Sequence, residues 1–188
     1  GVEVHKGLAK TGVVGTLKAG TGNKKIGLRA DMDALDLHEL NEFDHKSRNE
    51  GKMHGCGHDG HTTMLLGAAR YLAETKNFDG TVHFIFQPAE EGAPVGEEGG
   101  AKLMVEEGVL DDPSVNAIFG LHISSNDHVG NVMIKPQGIM AAVNSFRIDI
   151  QGQQAHGSAP WDGVDPIITA AQMINNMQTI VSRNAKLT

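Results

Sequence analysis

The chain has 188 residues, 39% of them hydrophobic, so it can bury a core in one large domain or two small ones. Its formal net charge of −7, with no basic cluster, excludes nucleic acid and anionic membranes as main partners. No apolar run is long enough for a membrane span, and no signal peptide is visible. A single cysteine excludes an intrachain disulfide and predicts a reducing, cytoplasmic location. These properties favour a soluble acidic enzyme.

Two short strands are expected between Gly12 and Ala30, joined by a glycine-rich turn at residues 20–25. The pattern predicts a hairpin. The second strand runs directly into Asp31 and Asp33, at the carboxyl end of a strand, where open α/β sheets usually place their sites. The two carboxylates lie on the same side of an extended chain, so one can face a site while the other orients a ligand.

The segment from Met53 to His61 holds one thiol, three imidazoles and a carboxylate within nine residues. Interspersed glycines allow a tight turn, so that Cys56 and His58 can converge on one ion. This mixed ligand set favours zinc or a similar borderline divalent ion. We expect His61 to cap the following helix or orient a ligand, and His54 to be a solvated loop residue.

Helical and strand patterns alternate through the next part of the chain, which predicts a largely parallel sheet covered on its faces. The expected elements are a helix at His61–Thr75, a strand at Thr81–Gln87, a helix at Ala101–Glu107 and a strand at Ala117–Leu121.

Two candidate groups follow the ends of predicted strands. Glu90 and Glu91 come after the strand that ends near Pro88, and His122 ends a short apolar strand. In a metallohydrolase one carboxylate binds the ion and its neighbour takes a proton from water, so we assign Glu91 to the metal and Glu90 to the base. Taken singly, His122 is more typical of a hydrogen-bonded interior histidine than of a ligand. The presence of other candidate ligands strengthens its assignment to a metal site.

The character of the chain changes near residue 138, where we place a domain boundary between 1–138 and 139–188. The second part predicts a long strand at Val143–Ile150 and a helix at Pro166–Ile180. Between them lies His156, which can polarise a substrate carbonyl from across a cleft. A unit of about 50 residues rarely stands alone, so we expect the chain to be a fragment.

Four motifs occur in order: Arg29–Leu35, Met53–Thr62, Gln87–Gly92 and Gly120–His122. Together they closely resemble the dinuclear metallo-amidohydrolases, which include N-acyl-amino-acid amidohydrolases, hippurate hydrolase, thermostable carboxypeptidases and auxin-conjugate hydrolases. The resemblance implies an α/β, zinc-peptidase-like catalytic domain with a mainly parallel sheet between helices. From about residue 139 it implies the beginning of an α+β lid and dimerisation domain, and hence a homodimer.

Residue by residue, the resemblance implies that a two-metal centre is bound by Cys56, His58, Glu91 and His122. The ions would be Zn, Mn, Co or Ni. Glu90 would be the general base, Asp33 would be a catalytic residue that lies behind the metal ligands, and His156 would contact the substrate. The implied reaction is hydrolysis of an N-acyl amino acid or small peptide by a metal-bridged water, whose pKa falls towards roughly 7.

The chain departs from the family pattern in two ways. Family members are about twice as long, and their last metal ligand is a histidine near the C-terminus. No residue of this chain matches that histidine. A chain that ends at Thr188 is therefore expected to bind the second metal poorly. The segment around His156 also reads Ala-His-Gly-Ser-Ala-Pro-Trp, with Trp161 where relatives often have histidine. That change bears on substrate preference.

Two alternatives remain open from the residues alone. The first is a catalytically incomplete metal-binding or dimerisation fragment of the same fold. The second is a cysteine-dependent hydrolase with Cys56 as nucleophile, which would leave the glutamate pair unused. A chelator separates the two enzymatic possibilities, because it should abolish a metallohydrolase and spare a thiol enzyme.

Overall fold

The structure, a computed structural model, describes residues 1–111, 114–141 and 144–184. Two compact units are present, Gly1–Asn131 and Val132–Thr188. The predicted roles of 1–138 as a catalytic domain and 139–188 as a lid stay predictions. The first unit contains strands β1 (Glu3–Leu8), β2 (Gly12–Ala19), β3 (Lys25–Asp31), β4 (Gly80–Gln87) and β5 (Ala117–Gly120), with helices α1 (His58–Thr75) and α2 (Gly100–Glu106).

The five strands form one mixed sheet in the order β1-β2-β4-β3-β5. The β3 strand pairs in parallel with both β4 and β5, whereas β2 is antiparallel to β1 and to β4. The predicted α/β class is therefore confirmed. Parallel pairing is confined to the β4-β3-β5 half of the sheet, which is the half whose carboxyl ends share one edge.

The predicted hairpin between the second and third strands is wrong. The β4 strand lies between β2 and β3 and pairs with both. Most β4 residues are buried, and a strand that is apolar on both faces is most stable in the middle of a covered sheet. The hairpin in this region joins β1 to β2 instead, through a turn with positive φ at Ala9 and Lys10. Neither residue type signals such a turn, so β1 was missed.

Each face of the sheet carries its own hydrophobic cluster. The first includes Phe84 of β4 and Leu65 of α1, and the second includes Ile85 of β4 and Met104 of α2. Alternation along β4 thus sends successive side chains to opposite faces. This packing places α1 over one face and α2 over the other.

The helices and strands predicted around the motifs are confirmed, with α1 beginning three residues earlier than expected, at His58. Within the part of the chain that the structure describes, no helix is both long and apolar enough to cross a membrane.

The second unit differs from expectation in one element. The predicted strand at Val143–Ile150 is absent from residues 144–150, and residue 143 lies outside the described residues. Residues 144–149 are exposed and have no pairing partner among the described residues, so the alternating pattern has no sheet in which to form a ladder. The helix predicted at Pro166–Ile180 is confirmed as α3 (Pro166–Thr179). Asp165 caps it by accepting from the backbone N–H groups of Ile167 and Ile168.

One core histidine predicts how stability depends on pH. His83 on β4 is buried, its Nδ1 lies 3.0 Å from Thr16 Oγ1, and its Nε2 has no hydrogen-bond partner. Burial, and then the charge of Lys25, lowers the pKa of His83 below its usual value of 6.5. Below that pH the unfolded chain binds a proton that the folded chain rejects, so the free energy of unfolding should decrease. Urea unfolding at several pH values should show a smaller decrease for His83→Gln.

Candidate metal centre

Three parallel strands direct candidate side chains to one edge of the sheet. The β3 and β4 strands stay in register to their last residues, Asp31 opposite Gln87, and β5 ends beside the same edge. The segments that follow carry Asp33, Glu90-Glu91 and His122. The carboxyl ends of parallel strands are the usual position of α/β sites, and this edge follows that rule.

Helix α1 begins at the same edge and adds the remaining candidates. Gly57 precedes the helix with φ 87°, a left-handed conformation that glycine adopts without strain, and His58 is the first helical residue. Cys56 lies just before this turn. The predicted tight turn between the two side chains is therefore present.

Three groups of side chains in this region could hold a metal ion, each with ligand atoms within 4.8 Å of one another. They are Cys56, His58 and His122; His58, Glu90 and Glu91; and the fully buried set of Asp31, His58 and His61. Cys56 Sγ lies 3.4 Å from His122 Nε2. The candidate ligands predicted from the sequence motifs are thus neighbours in space, although they span 67 positions of the chain, from Cys56 to His122.

His58 is the residue common to these groups, and its hydrogen bonds leave one nitrogen free. The side chain is 1% exposed, and its Nδ1 lies 3.0 Å from the carbonyl oxygen of Asp33. A carbonyl only accepts, so Nδ1 carries a proton, and in the neutral ring Nε2 then keeps its lone pair. That Nε2 is buried without a hydrogen-bond partner, 3.6 Å from Asp31 Oδ2, 3.8 Å from Glu90 Oε2 and 3.9 Å from Glu91 Oε1. A neutral imidazole nitrogen facing carboxylates fits a divalent cation.

Asp33 connects two of the candidate ligands. Its Oδ1 lies 3.2 Å from His58 Nδ1, and its Oδ2 accepts from the backbone N–H of Glu91 at 3.0 Å. Carboxylates that hold a ligand histidine in this way fix its tautomer and ring orientation. Asp33 therefore holds two candidate ligands in place and is not a member of the metal-binding groups itself.

We expect Asp33→Ala to weaken metal binding by about 10–100-fold, because His58 and the Glu91 backbone would lose a shared partner. Competition with a chromophoric chelator measures this change. Asp36→Ala is the matched control, since Asp36 is an exposed aspartate that pairs with Lys52. Equal affinities for Asp33→Ala and the control would contradict the role of Asp33.

Electrostatics at Cys56 argue against a thiol nucleophile. Burial, followed by the nearby Glu91, Glu90 and Asp31 carboxylates, raises the pKa of the Cys56 thiol. A thiol that stays protonated at neutral pH is a poor nucleophile, whereas a bound cation favours the thiolate. The surroundings of Cys56 suit a metal ligand better than a cysteine-dependent hydrolase.

Asp31 and His61, which form the third group with His58, are themselves a buried pair. His61 Nδ1 lies 2.6 Å from Asp31 Oδ1, and His61 Nε2 accepts from the backbone N–H of Ile123 at 2.9 Å. Burial raises the pKa of Asp31, but the hydrogen bond from His61 and the charge of Arg29 outweigh it, so the net shift is downward. Both His61 nitrogens are engaged, which fits the orienting role expected from the sequence. The Ile123 N–H was missed, because a backbone donor leaves no signal in the sequence.

Two further histidines of the sequence motifs, His54 and His156, lie outside these groups. His54 is exposed in the loop before α1, as expected. His156 belongs to the second unit and is also exposed, with its Nδ1 accepting from the backbone N–H of Ser158 at 3.2 Å. The Ser158 hydroxyl lies 2.8 Å from the same nitrogen. The role of His156 stays a prediction.

Comparisons with known proteins identify the relatives of this chain. Residues 27–185 match Peptidase family M20/M25/M40. A hippurate hydrolase from Campylobacter jejuni is 48% identical over 184 residues, covering 98% of this chain and 46% of that protein. A candidate aminohydrolase from methicillin-resistant Staphylococcus aureus has a similar crystal structure, with a TM-score of 0.76 and 36% identity. That match covers 98% of this chain and 48% of the other.

A second solved structure bears on the metal centre. It is a dinuclear metal-binding peptidase of the M20 family from Bacillus subtilis, 41% identical with a TM-score of 0.58, covering 65% of this chain and 33% of that one. The chain spans less than half the length of the curated relative described above. The match to the family extends over most of its residues, and its resemblance to metallo-amidohydrolases is confirmed. The chain belongs to Peptidase family M20/M25/M40.

Proposed function

We propose that this chain carries the metal centre of an amidohydrolase that cleaves the amide bond of N-acyl amino acids or small peptide-like substrates. The observation that carries the proposal is the buried, unpartnered Nε2 of His58, which faces Glu90 and Glu91. Cys56 and His122 form a second group with the same histidine, within 4.8 Å of one another. Five donor side chains at one site suit a divalent ion better than a structural network, which would leave no buried nitrogen unpaired.

The proposed ligands are Cys56, His58, Glu91 and His122, which would hold two divalent ions of the Zn, Mn, Co or Ni type. When bound, such ions polarise the scissile carbonyl and lower the pKa of water. The thiolate and imidazole donors favour a borderline metal over magnesium or calcium. The relative named as dinuclear supports a count of two.

Glu90 is the proposed general base. Its side chain is 42% exposed, so its carboxylate can reach solvent and substrate, while Glu91 is held through its backbone by Asp33. A carboxylate in this position takes a proton from the attacking water and returns it to the leaving nitrogen. The neighbouring glutamates therefore divide the two tasks.

His156 is the proposed substrate contact from the second unit. Its Nδ1 accepts from Ser158, so its proton lies on Nε2, which is then a donor. A donor of this kind stabilises the negative charge that develops on a carbonyl oxygen during amide hydrolysis. The assignment rests on the resemblance of its motif and on this hydrogen bond.

Three further parts of the proposal rest on other grounds. The substrate class is supported by the hippurate hydrolase relative, since hippurate is an N-acyl amino acid. A homodimer formed through the second unit is proposed on family resemblance alone. The proposed cytoplasmic location rests on the single cysteine, which suits a reducing compartment.

The test is to measure metal content by plasma mass spectrometry on the complete protein, together with amino-acid release from N-acyl amino acids and carboxypeptidase substrates. We expect about two divalent ions per chain, release of amino acid, and loss of release after EDTA that divalent metal restores. The ratio of rates on the two substrate sets separates aminoacylase from carboxypeptidase activity. One ion or none, without release, would instead favour a catalytically incomplete metal-binding or dimerisation unit.

A further inference from the structure

We propose that His61 is a positioning residue that sets the orientation of His122 through the backbone of Ile123. The inference rests on the proposed function, because His122 matters here as a metal ligand. It adds to that function a residue whose own nitrogens do not bind the ion.

The backbone of Ile123 connects the two histidines through both of its polar atoms. Its N–H donates to His61 Nε2 at 2.9 Å, and its carbonyl oxygen lies 2.7 Å from His122 Nδ1. Because a carbonyl only accepts, His122 carries its proton on Nδ1, which leaves Nε2 free on the side of Cys56 Sγ. A shift of the Ile123 backbone would turn the His122 ring away from the other ligands.

His61 can hold the peptide only in one protonation form. A backbone N–H is always a donor, so Nε2 of His61 must accept and its proton must lie on Nδ1. That Nδ1–H donates to Asp31 Oδ1 at 2.6 Å. Asp31 thereby selects the tautomer that binds the Ile123 N–H, as carboxylates do behind metal-bound histidines.

Asp31 is itself held in place by groups on the central strands. It is 1% exposed, and its Oδ2 lies 2.8 Å from Arg29 Nη1. Arg29 Nε donates in turn to Gln87 Oε1 at 2.8 Å, and Thr62 Oγ1 donates to the Asp31 carbonyl at 3.0 Å. Both carboxylate oxygens of Asp31 therefore have partners, which holds the Asp31–His61 pair in one arrangement.

Close packing against α1 also holds Ile123. A Cβ at Gly60 would lie 2.3 Å from Ile123 Cδ1, so the absence of a side chain lets this loop approach the first helical turn. His61 and His122 also touch, with ring centroids 4.7 Å apart in an edge-on arrangement. The Ile123 side chain thus packs on the first turn of α1, and the two histidine rings are in contact.

The test compares two substitutions of His61 that separate its hydrogen bonds. The amide nitrogen of Asn can replace Nδ1 and keep the bond to Asp31, but Asn has no atom near the Nε2 position. The longer Gln can place its amide oxygen there and accept from Ile123. We expect His61→Asn to weaken metal binding by about 10–100-fold and His61→Gln to recover most of it.

Two readouts on the complete protein distinguish positioning from a structural role. Chelator competition gives metal affinity, and the absorption of the cobalt-substituted protein reports the Cys56 thiolate and the ligand geometry. We expect an altered cobalt spectrum for His61→Asn and a near wild-type spectrum for His61→Gln. His54→Asn is the matched control, because His54 is an exposed histidine of the same motif, and it should leave both readouts unchanged.

The outcomes separate the inference from the proposed function. Metal affinity and cobalt spectrum unchanged in His61→Asn, with metal bound by wild type, would overturn the positioning role and leave the metal centre standing. A wild-type protein that binds no metal would overturn both. If His61→Asn does not fold, nitrogen-15 NMR of the metal-free wild type still decides, because a protonated Nε2 on His61 cannot accept from Ile123 and would refute the inference.

Discussion

Glu90→Gln is expected to lower turnover of an N-acyl amino acid by about 10²–10⁴-fold while leaving metal content unchanged. Glutamine keeps the size of the side chain but cannot take a proton from water or return it to the leaving nitrogen. Glu90 is close to His58 Nε2, at 3.8 Å, yet it is not needed to hold the metal if Glu91 is the carboxylate ligand. The substitution therefore separates proton transfer from metal binding.

The measurement is single-substrate kinetics with metal analysis of the same preparation. Glu98→Gln makes the same chemical change at an exposed glutamate outside the metal-binding groups, and should behave as wild type. A Glu90→Gln protein that retains near-full turnover would refute the general-base role. One that loses metal would indicate that Glu90 is a ligand and that the two glutamates have been assigned in reverse.

His58→Ala should have the largest effect on metal binding. His58 belongs to all three groups that could hold a metal ion, and it supplies the only buried side-chain nitrogen without a hydrogen-bond partner at this edge of the described sheet. Without it, each candidate group keeps only two of its three donors, and the carboxylates lose a neighbour that a cation would share. We expect loss of bound metal and of metal-dependent activity together.

Metal stoichiometry after dialysis checks this expectation, with His128→Ala as the control at an exposed histidine of the same unit. His58 is also packed in the core, so the variant will lose stability for reasons unrelated to metal. Thermal unfolding in EDTA measures that part separately. Added zinc should raise the unfolding temperature of the wild type and not that of His58→Ala. An equal rise in both would refute His58 as a ligand.

Local pattern determined a large part of the fold. Helix α1, helix α2 and strand β4 were predicted because their apolar spacing or continuous apolar run is a property of each segment alone. Strand pairing was not local, and the hairpin between β2 and β3 was predicted wrongly. The competition between strands for the buried centre of the sheet decides pairing, and β4 takes that position because both its faces are apolar.

The candidate site divides in the same way. The sequence by itself determined the chemical types and the order of the donors, because the local motifs around them identify them. These donors are Cys56, His58, Glu90, Glu91 and His122. Only the tertiary structure decided which histidine nitrogen is free. His58 and His61 both lie in the first turn of α1, but His58 has a partner only at Nδ1, the Asp33 carbonyl, whereas both nitrogens of His61 are hydrogen-bonded. The partners of His61, Asp31 and Ile123, come from other segments of the chain. Hydrogen bonds between distant segments depend on packing, and packing is set by the whole fold.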